Sequence, residues 1–187
     1  MIDHLVQFDR HLFYFINHDM ANAFFDWLMP ILREPHTWIP LYIFIIVFSL
    51  YRFKKTGLYI IAALLLTFAI ADSGSAGLGK GLFKRLRPCN DPSMASTITV
   101  RIPCGTGYSF PSAHASNHFA IAACLCFIFG RRWRWIWFWA ILWAALVCFA
   151  QVYVGVHYPI DVLAGAIFGF LVGWLVSLLF KKLQPNF

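Results

Sequence analysis

Residues 158–180 read YPIDVLAGAIFGFLVGWLVSLLF. After Asp161 no ionisable side chain appears before the end of that stretch. A bilayer needs about 20 apolar residues to be crossed by a helix, so the stretch predicts a membrane-spanning helix. A carboxylate at its opening, four residues after His157, is expensive at membrane depth and marks a functional position.

Outward from this stretch, four more apolar segments stand out, at residues 37–52, 57–79, 111–129 and 133–154. Trp38 and Tyr51 flank the first as interfacial anchors. The chain is 60% hydrophobic and only 12% charged, about half the charged share of a soluble domain. The fold class expected is therefore all-α and integral to a membrane: a bundle of about five transmembrane helices plus N-terminal interfacial helices. Residues 1–36 form the N-terminal amphipathic region. Met1–His18 reads as an interfacial helix, and residues 20–35, MANAFFDWLMPILREP, as a short amphipathic or re-entrant piece broken by Asp26 and Pro30. Residues 37–182 form the transmembrane domain, with one long loop at 85–110 rich in Pro, Gly, Ser and Thr.

The net charge of +7 does not point to nucleic acid. Its basic residues flank the spans and form no basic stripe with interleaved aromatics. Five spans put Arg52, Lys54, Lys55, Arg131, Arg132, Arg134, Lys181 and Lys182 on one side, with no acid among them. That side reads as cytoplasmic. The expected location is a multi-pass protein of a cell (inner) membrane, its C-terminus cytoplasmic and its 85–110 loop extracytoplasmic.

All the unusual ionisable groups fall on the loop side. Lys80 and Arg87 follow the second span, Pro111-Ser112-Ala113-His114 opens the third, and His157 with Asp161 opens the fifth. Alone, Lys80 and Arg87 read equally as snorkelling anchors, and a single membrane-edge histidine as an interfacial residue. Together they form a phosphate-handling set. Asp161, sharing a helix face with His157, accepts its Nδ1 proton and leaves Nε2 as a nucleophile. His114 suits a general acid. Lys80 and Arg87 supply positive charge, and the N–H groups near Ser112 add an anion site. His114 and His118 lack a third ligand, so no metal is expected.

The pattern Lys80-x6-Arg87-Pro88, Pro111-Ser112-Ala113-His114 and His157-x3-Asp161 resembles the type 2 phosphatidic acid phosphatase family over roughly residues 57–180. The resemblance implies that His157 is the nucleophile and forms a phosphohistidine, that Asp161 orients it, and that His114 protonates the leaving group. It implies that Lys80 and Arg87 bind phosphate, with Ser112, Ala113 and Gln151 around it, and that neither cofactor nor metal takes part. The partners implied are membrane lipids and a lipid phosphate such as undecaprenyl diphosphate, phosphatidylglycerol phosphate or a lipid A phosphate. The alternative is a non-catalytic lipid-phosphate-binding relative.

Two departures matter. Ala113 stands where the family usually has Gly, and Ala150-Gln151 where it usually has Ser-Arg. Gln151 brings a hydrogen bond but no charge, so either activity suffers or Arg85, Lys84 or Arg101 compensates. Separately, Cys89 and Cys104 share the loop on the oxidising side. They are expected to form a disulfide, which would stabilise the loop by roughly 3 kcal/mol, the alternative being two free thiols. Cys124, Cys126 and Cys148 lie within spans and read as small apolar filler.

Overall fold

The computed structural model describes residues 2–187, apart from the side chains of residues 2 and 78–80. Among the described residues eight α-helices follow one another and there is no strand. Helix α1 (Ile2–Tyr14) runs into a π-helical turn at Phe15–Asp19. Helix α2 spans Ala23–Arg33, where Asn22 caps it by accepting from the Phe25 N–H at 2.9 Å. The break expected at Asp26 and Pro30 does not occur. Asp26 sits in the first turn, where a negative charge is favourable, and the helix passes through Pro30 to Arg33. It stops at Glu34, held extended (ψ 122°) ahead of Pro35.

Helices α3 (Ile39–Phe53) and α4 (Lys55–Asp72) are joined by a tight turn at Lys54. The short α5 (Lys80–Phe83) leads into the long loop. Helices α6 (Ala113–Phe129), α7 (Trp135–Tyr153) and α8 (Pro159–Leu183) complete the chain. Four helical stretches, beginning at Pro35, Lys55, Trp135 and Pro159, are long and apolar enough to cross a membrane. The protein is a multi-pass membrane protein. Helix α6, with 17 residues, is shorter, about 26 Å at 1.5 Å per residue. It is the central helix, buried on most of its surface and surrounded by α4, α7 and α8.

Small residues explain that centre. Gly165, Gly169 and Gly173 form one stripe of α8, and a Cβ on any of them would collide with the backbone carbonyls of Ser112, Ser116 and Ala120. Their absence of side chains lets the two helix backbones touch, the small-xxx-small packing of membrane helices. Around this seam Ile121, Leu125 and Phe129 of α6 pack with Trp143, Val147, Val172, Val176 and Phe180. The outer faces carry exposed Phe44, Val47, Leu65, Phe138, Trp139, Ile167 and Leu171, apolar surface that only lipid covers well.

The N-terminal segments do not lie apart from the bundle. Asn17 is fully buried, donates to the carbonyls of Thr99 at 2.9 Å and Tyr153 at 2.8 Å, and accepts from the Thr99 N–H at 2.8 Å. It ties the end of α1 to the loop and to the end of α7. Met29 and Leu32 of α2 pack against Ala150, Tyr153 and Val154 of the α7 end.

Candidate active site

The site is built where α6 and α8 begin. Ser112 caps α6, its side chain accepting from the Ala115 N–H at 3.4 Å. Its own N–H donates to the Asp161 carbonyl at 3.0 Å, which ties the first turn of α6 to that of α8. Ala113 and His114 follow, both half-buried. The carbonyl of His114 lies 2.9 Å from His118 Nδ1. The two imidazoles lie parallel with centroids 6.5 Å apart, and His118 meets the Trp143 ring edge-on at 4.9 Å. His118 is thus packed support for His114.

His157 and Asp161 do not share a helix face as the spacing suggests. His157 lies before the N-cap Tyr158, outside α8. Asp161 folds back over the capping turn, where its Oδ2 accepts from the Tyr158 N–H at 2.9 Å and lies 3.6 Å from His157 Nδ1. That separation is electrostatic, longer than a hydrogen bond. On the other side of the ring Arg87 Nη1 lies 3.2 Å from His157 Nε2, and it also donates to the Val156 carbonyl at 3.3 Å. A guanidinium only donates, so Nε2 carries the lone pair and Nδ1 the proton that faces Asp161.

Arg85 and Asp9 were not legible as part of this arrangement. Arg85 Nη1 donates to Asp161 Oδ1 at 2.7 Å, and its Nη2 donates to Asp9 Oδ2. Asp9 is 1% exposed, and its other oxygen accepts from the Ile160 N–H in the first turn of α8 at 2.9 Å. Burial pushes the Asp9 carboxyl above the usual carboxylate range, while the bonds from Arg85 and Ile160 hold it back. Helix α1 thus supplies a carboxylate that caps α8 and fixes the cation on Asp161.

None of the three cations expected near Gln151 takes that place. Arg85 is held between two carboxylates. Lys84 is exposed, in a positive-φ turn (44°) that ends α5. Arg101 donates to Asp26 and to the carbonyls of Asn17 and Tyr153, and its guanidinium lies over the Tyr153 ring at 4.1 Å. Gln151 itself is fully buried, and neither polar atom of its side chain has a hydrogen-bond partner. The side chain of Lys80 lies outside the described residues. Cys89 and Cys104 are joined, with Cα atoms 5.9 Å apart. Their loop walls Arg87: a Cβ on Gly105 would sit 3.7 Å from the guanidinium carbon.

A cavity of about 550 Å³ runs from His114, Ala113 and Pro35 down between α3, α4 and α6, lined by Tyr42, Ile45, Leu64, Leu65 and Phe68. Polar groups gather at one end, where Asn117 donates to Asp72 at 2.8 Å. A lone pair held beside a guanidinium, with a second imidazole at the head of an apolar cavity, suits attack on the phosphorus of an amphiphile.

The chain is also similar to known proteins in sequence and in fold. The family model of the PAP2 superfamily matches residues 55–185. A lipid A 4'-phosphatase of Bacteroides thetaiotaomicron is 35% identical over 189 residues, covering 100% of this chain and 83% of the relative. An undecaprenyl-diphosphatase of Sulfolobus acidocaldarius is 29% identical, covering 91% and 77%. The fold matches the crystal structure of a transmembrane PAP2 type phosphatidylglycerolphosphate phosphatase from Bacillus subtilis with a TM-score of 0.76, at 22% identity, over 98% of this chain and 90% of that one. It also matches the crystal structure of Aquifex aeolicus LpxE with a TM-score of 0.65, at 27% identity, over 90% and 93%.

Proposed function

Because this chain belongs to the PAP2 superfamily, we propose that it is a membrane lipid phosphatase working through a phosphohistidine. The observation that carries the reading is the meeting of Arg87, His157, Asp161 and Ser112 at the starts of α6 and α8, next to His114, which lines an apolar cavity. The lipid phosphate enters with its tail along Tyr42, Leu64 and Phe68 and its phosphoryl oxygens on Arg87 and Lys80. His157 Nε2 attacks phosphorus while the bond from phosphorus to the lipid oxygen breaks. His114, protonated, gives its proton to that oxygen, and the lipid leaves as the alcohol from a monophosphate or as the lipid monophosphate from a diphosphate. His114 then takes a proton from water, the resulting hydroxide displaces Nε2 from phosphorus, and inorganic phosphate departs. The Asp161 carboxylate faces the Nδ1 proton and stabilises the imidazolium-like ring electrostatically.

The reaction needs neither cofactor nor metal in this reading, since guanidinium and ammonium groups carry the charge at the equatorial oxygens. The substrate is a lipid phosphate or diphosphate. The relatives named for lipid A 4'-phosphatase activity weight the choice toward a phosphorylated glycolipid. The site opens on the extracytoplasmic face of an inner membrane, and Lys181-Lys182 lie in the cytoplasm, supported by the wholly basic short loops on that side.

Phosphate release by the purified protein from lipid A, undecaprenyl diphosphate and phosphatidylglycerol phosphate tests the reading. Turnover of at least one lipid, abolished in His157→Ala, is expected. No release from any of them would overturn it.

A further inference from the structure

Gln151 stands where the family resemblance implies an arginine beside the phosphate, and it is buried with both polar atoms unpartnered. Helix α2 lies along the end of α7, with Met29 and Leu32 packed on the cluster that contains Ala150, the neighbour of Gln151. Two residues after Arg33, Pro35 lines the same cavity as Ala113 and His114. The turn between them is fixed. Trp38 Nε1 donates to the Leu32 carbonyl at 2.8 Å, and Thr37 Oγ1 to that of Ile31 at 2.7 Å. Trp38 packs edge-on against Trp143, which packs on His118. Arg33 is thereby bracketed between the Gln151 end of α7 and the His114 end of α6.

We propose that Arg33 is a phosphate-binding residue of this site, a second guanidinium that faces the phosphoryl group together with Arg87 where Gln151 brings no charge. The proposal rests on the phosphatase reading for the identity of the anion. Arg33 Nε is buried with no hydrogen-bond partner, as are Arg87 Nε and both polar atoms of Gln151. None of the described ion pairs involves Arg33 or Arg87. Arg87 feels the Asp161 carboxylate and Arg33 that of Glu34, while the two guanidiniums bring like charge toward one another and toward His114. Like charges converging in a partly buried place, each with a donor to spare, are relieved by an anion between them, and the Gln151 amide supplies a neutral donor beside it. The motif arginine is thus replaced from another helix, and the chain keeps its charge without keeping its pattern.

Two measurements on Arg33→Met, which keeps the apolar stem, separate this proposal from the reading beneath it. On an active lipid substrate, kcat/KM should fall by roughly 100-fold, the scale seen when one transition-state donor is removed. Arg33→Lys, a folded control that retains charge but loses the fork, should fall between. Adding Gln151→Arg to Arg33→Met should recover about tenfold. Independently of turnover, inorganic phosphate should raise the melting temperature of the wild type and do so far less for Arg33→Met. If wild type turns over no lipid yet phosphate stabilises it through Arg33, the phosphatase reading fails and the anion site stands. Equal kcat/KM or an equal phosphate-induced shift in Arg33→Met and wild type overturns the proposal, and so does the absence of any shift in wild type.

Discussion

Between α6 and α8 the contacts are glycine on backbone carbonyl. Between α1, α2 and the loop over the site, apolar clusters around Phe13 and Met29 are overlaid by carboxylates on guanidiniums and amides on carbonyls, as in Asp9–Arg85, Asp26–Arg101 and Asn17–Thr99. The first seam is short in reach, so it fixes where helices sit. The second adds polar bonds that span up to 151 residues of sequence, from Asp9 to Ile160, so it fixes which way charged groups point. Bundle and cap divide the labour: one sets the distance between the α6 and α8 starts, the other sets the electrostatics around His157.

Four perturbations put that division to the test. The largest is His157→Ala. Turnover should fall by at least about a thousandfold, as expected for loss of a nucleophile, while thermal unfolding in detergent stays unchanged. A variant that keeps several per cent of activity ends the assignment. Next, Gly169→Val should strike the bundle alone. Its added atoms meet the Ser116 carbonyl, and overpacking of this kind destabilises by about 1–3 kcal/mol or more. The melting temperature should drop, and any activity lost should be lost together with stability, because this seam also sets the spacing of the α6 and α8 starts. Loss of specific activity without loss of stability would contradict the division.

Asp9→Asn strikes the cap. It removes the charge that holds Arg85 on Asp161, so kcat should fall about tenfold, or ~1.4 kcal/mol, with KM little changed. A large rise in KM with constant kcat would instead place Asp9 in substrate binding. The smallest effect is expected from saturating chelator, because the proposed mechanism draws its positive charge from guanidinium and ammonium groups. A tenfold loss restored by magnesium or zinc would refute that.

The apolar stretches were legible because membrane spans are written in composition: α3, α6, α7 and α8 fall on four of them within a few residues, and the second is filled by α4 and the π-helical run Ser73–Gly79. The meeting of Arg87, His114, His157 and Asp161 was legible because alternate spans return the chain to one side. The cap was not. Asp9 sits in a segment that reads as a generic amphipathic helix, and its partners Arg85 and Ile160 are set by tertiary contact alone. Sequence alone offers Arg85 and Arg101 to Gln151, yet Asp9, Asp26 and Asp161 claim them. The burial of α6 does have a trace in sequence: Ala, Ser and Cys fill Ala113–Phe129, and small residues suit a helix with neighbours on all sides.

The stripe of Gly165, Gly169 and Gly173 has a mechanical consequence. Each glycine is a notch that receives a backbone carbonyl of the facing helix, so the seam behaves as a detent. A slide of α8 along α6 is blocked until it reaches the next notch, four residues or about 6 Å away. The spacing of His114 and His157 is therefore locked against stretching or thinning of the surrounding bilayer. Whatever breathing admits a lipid must take place at the opposite wall, where α3 and α4 border the cavity.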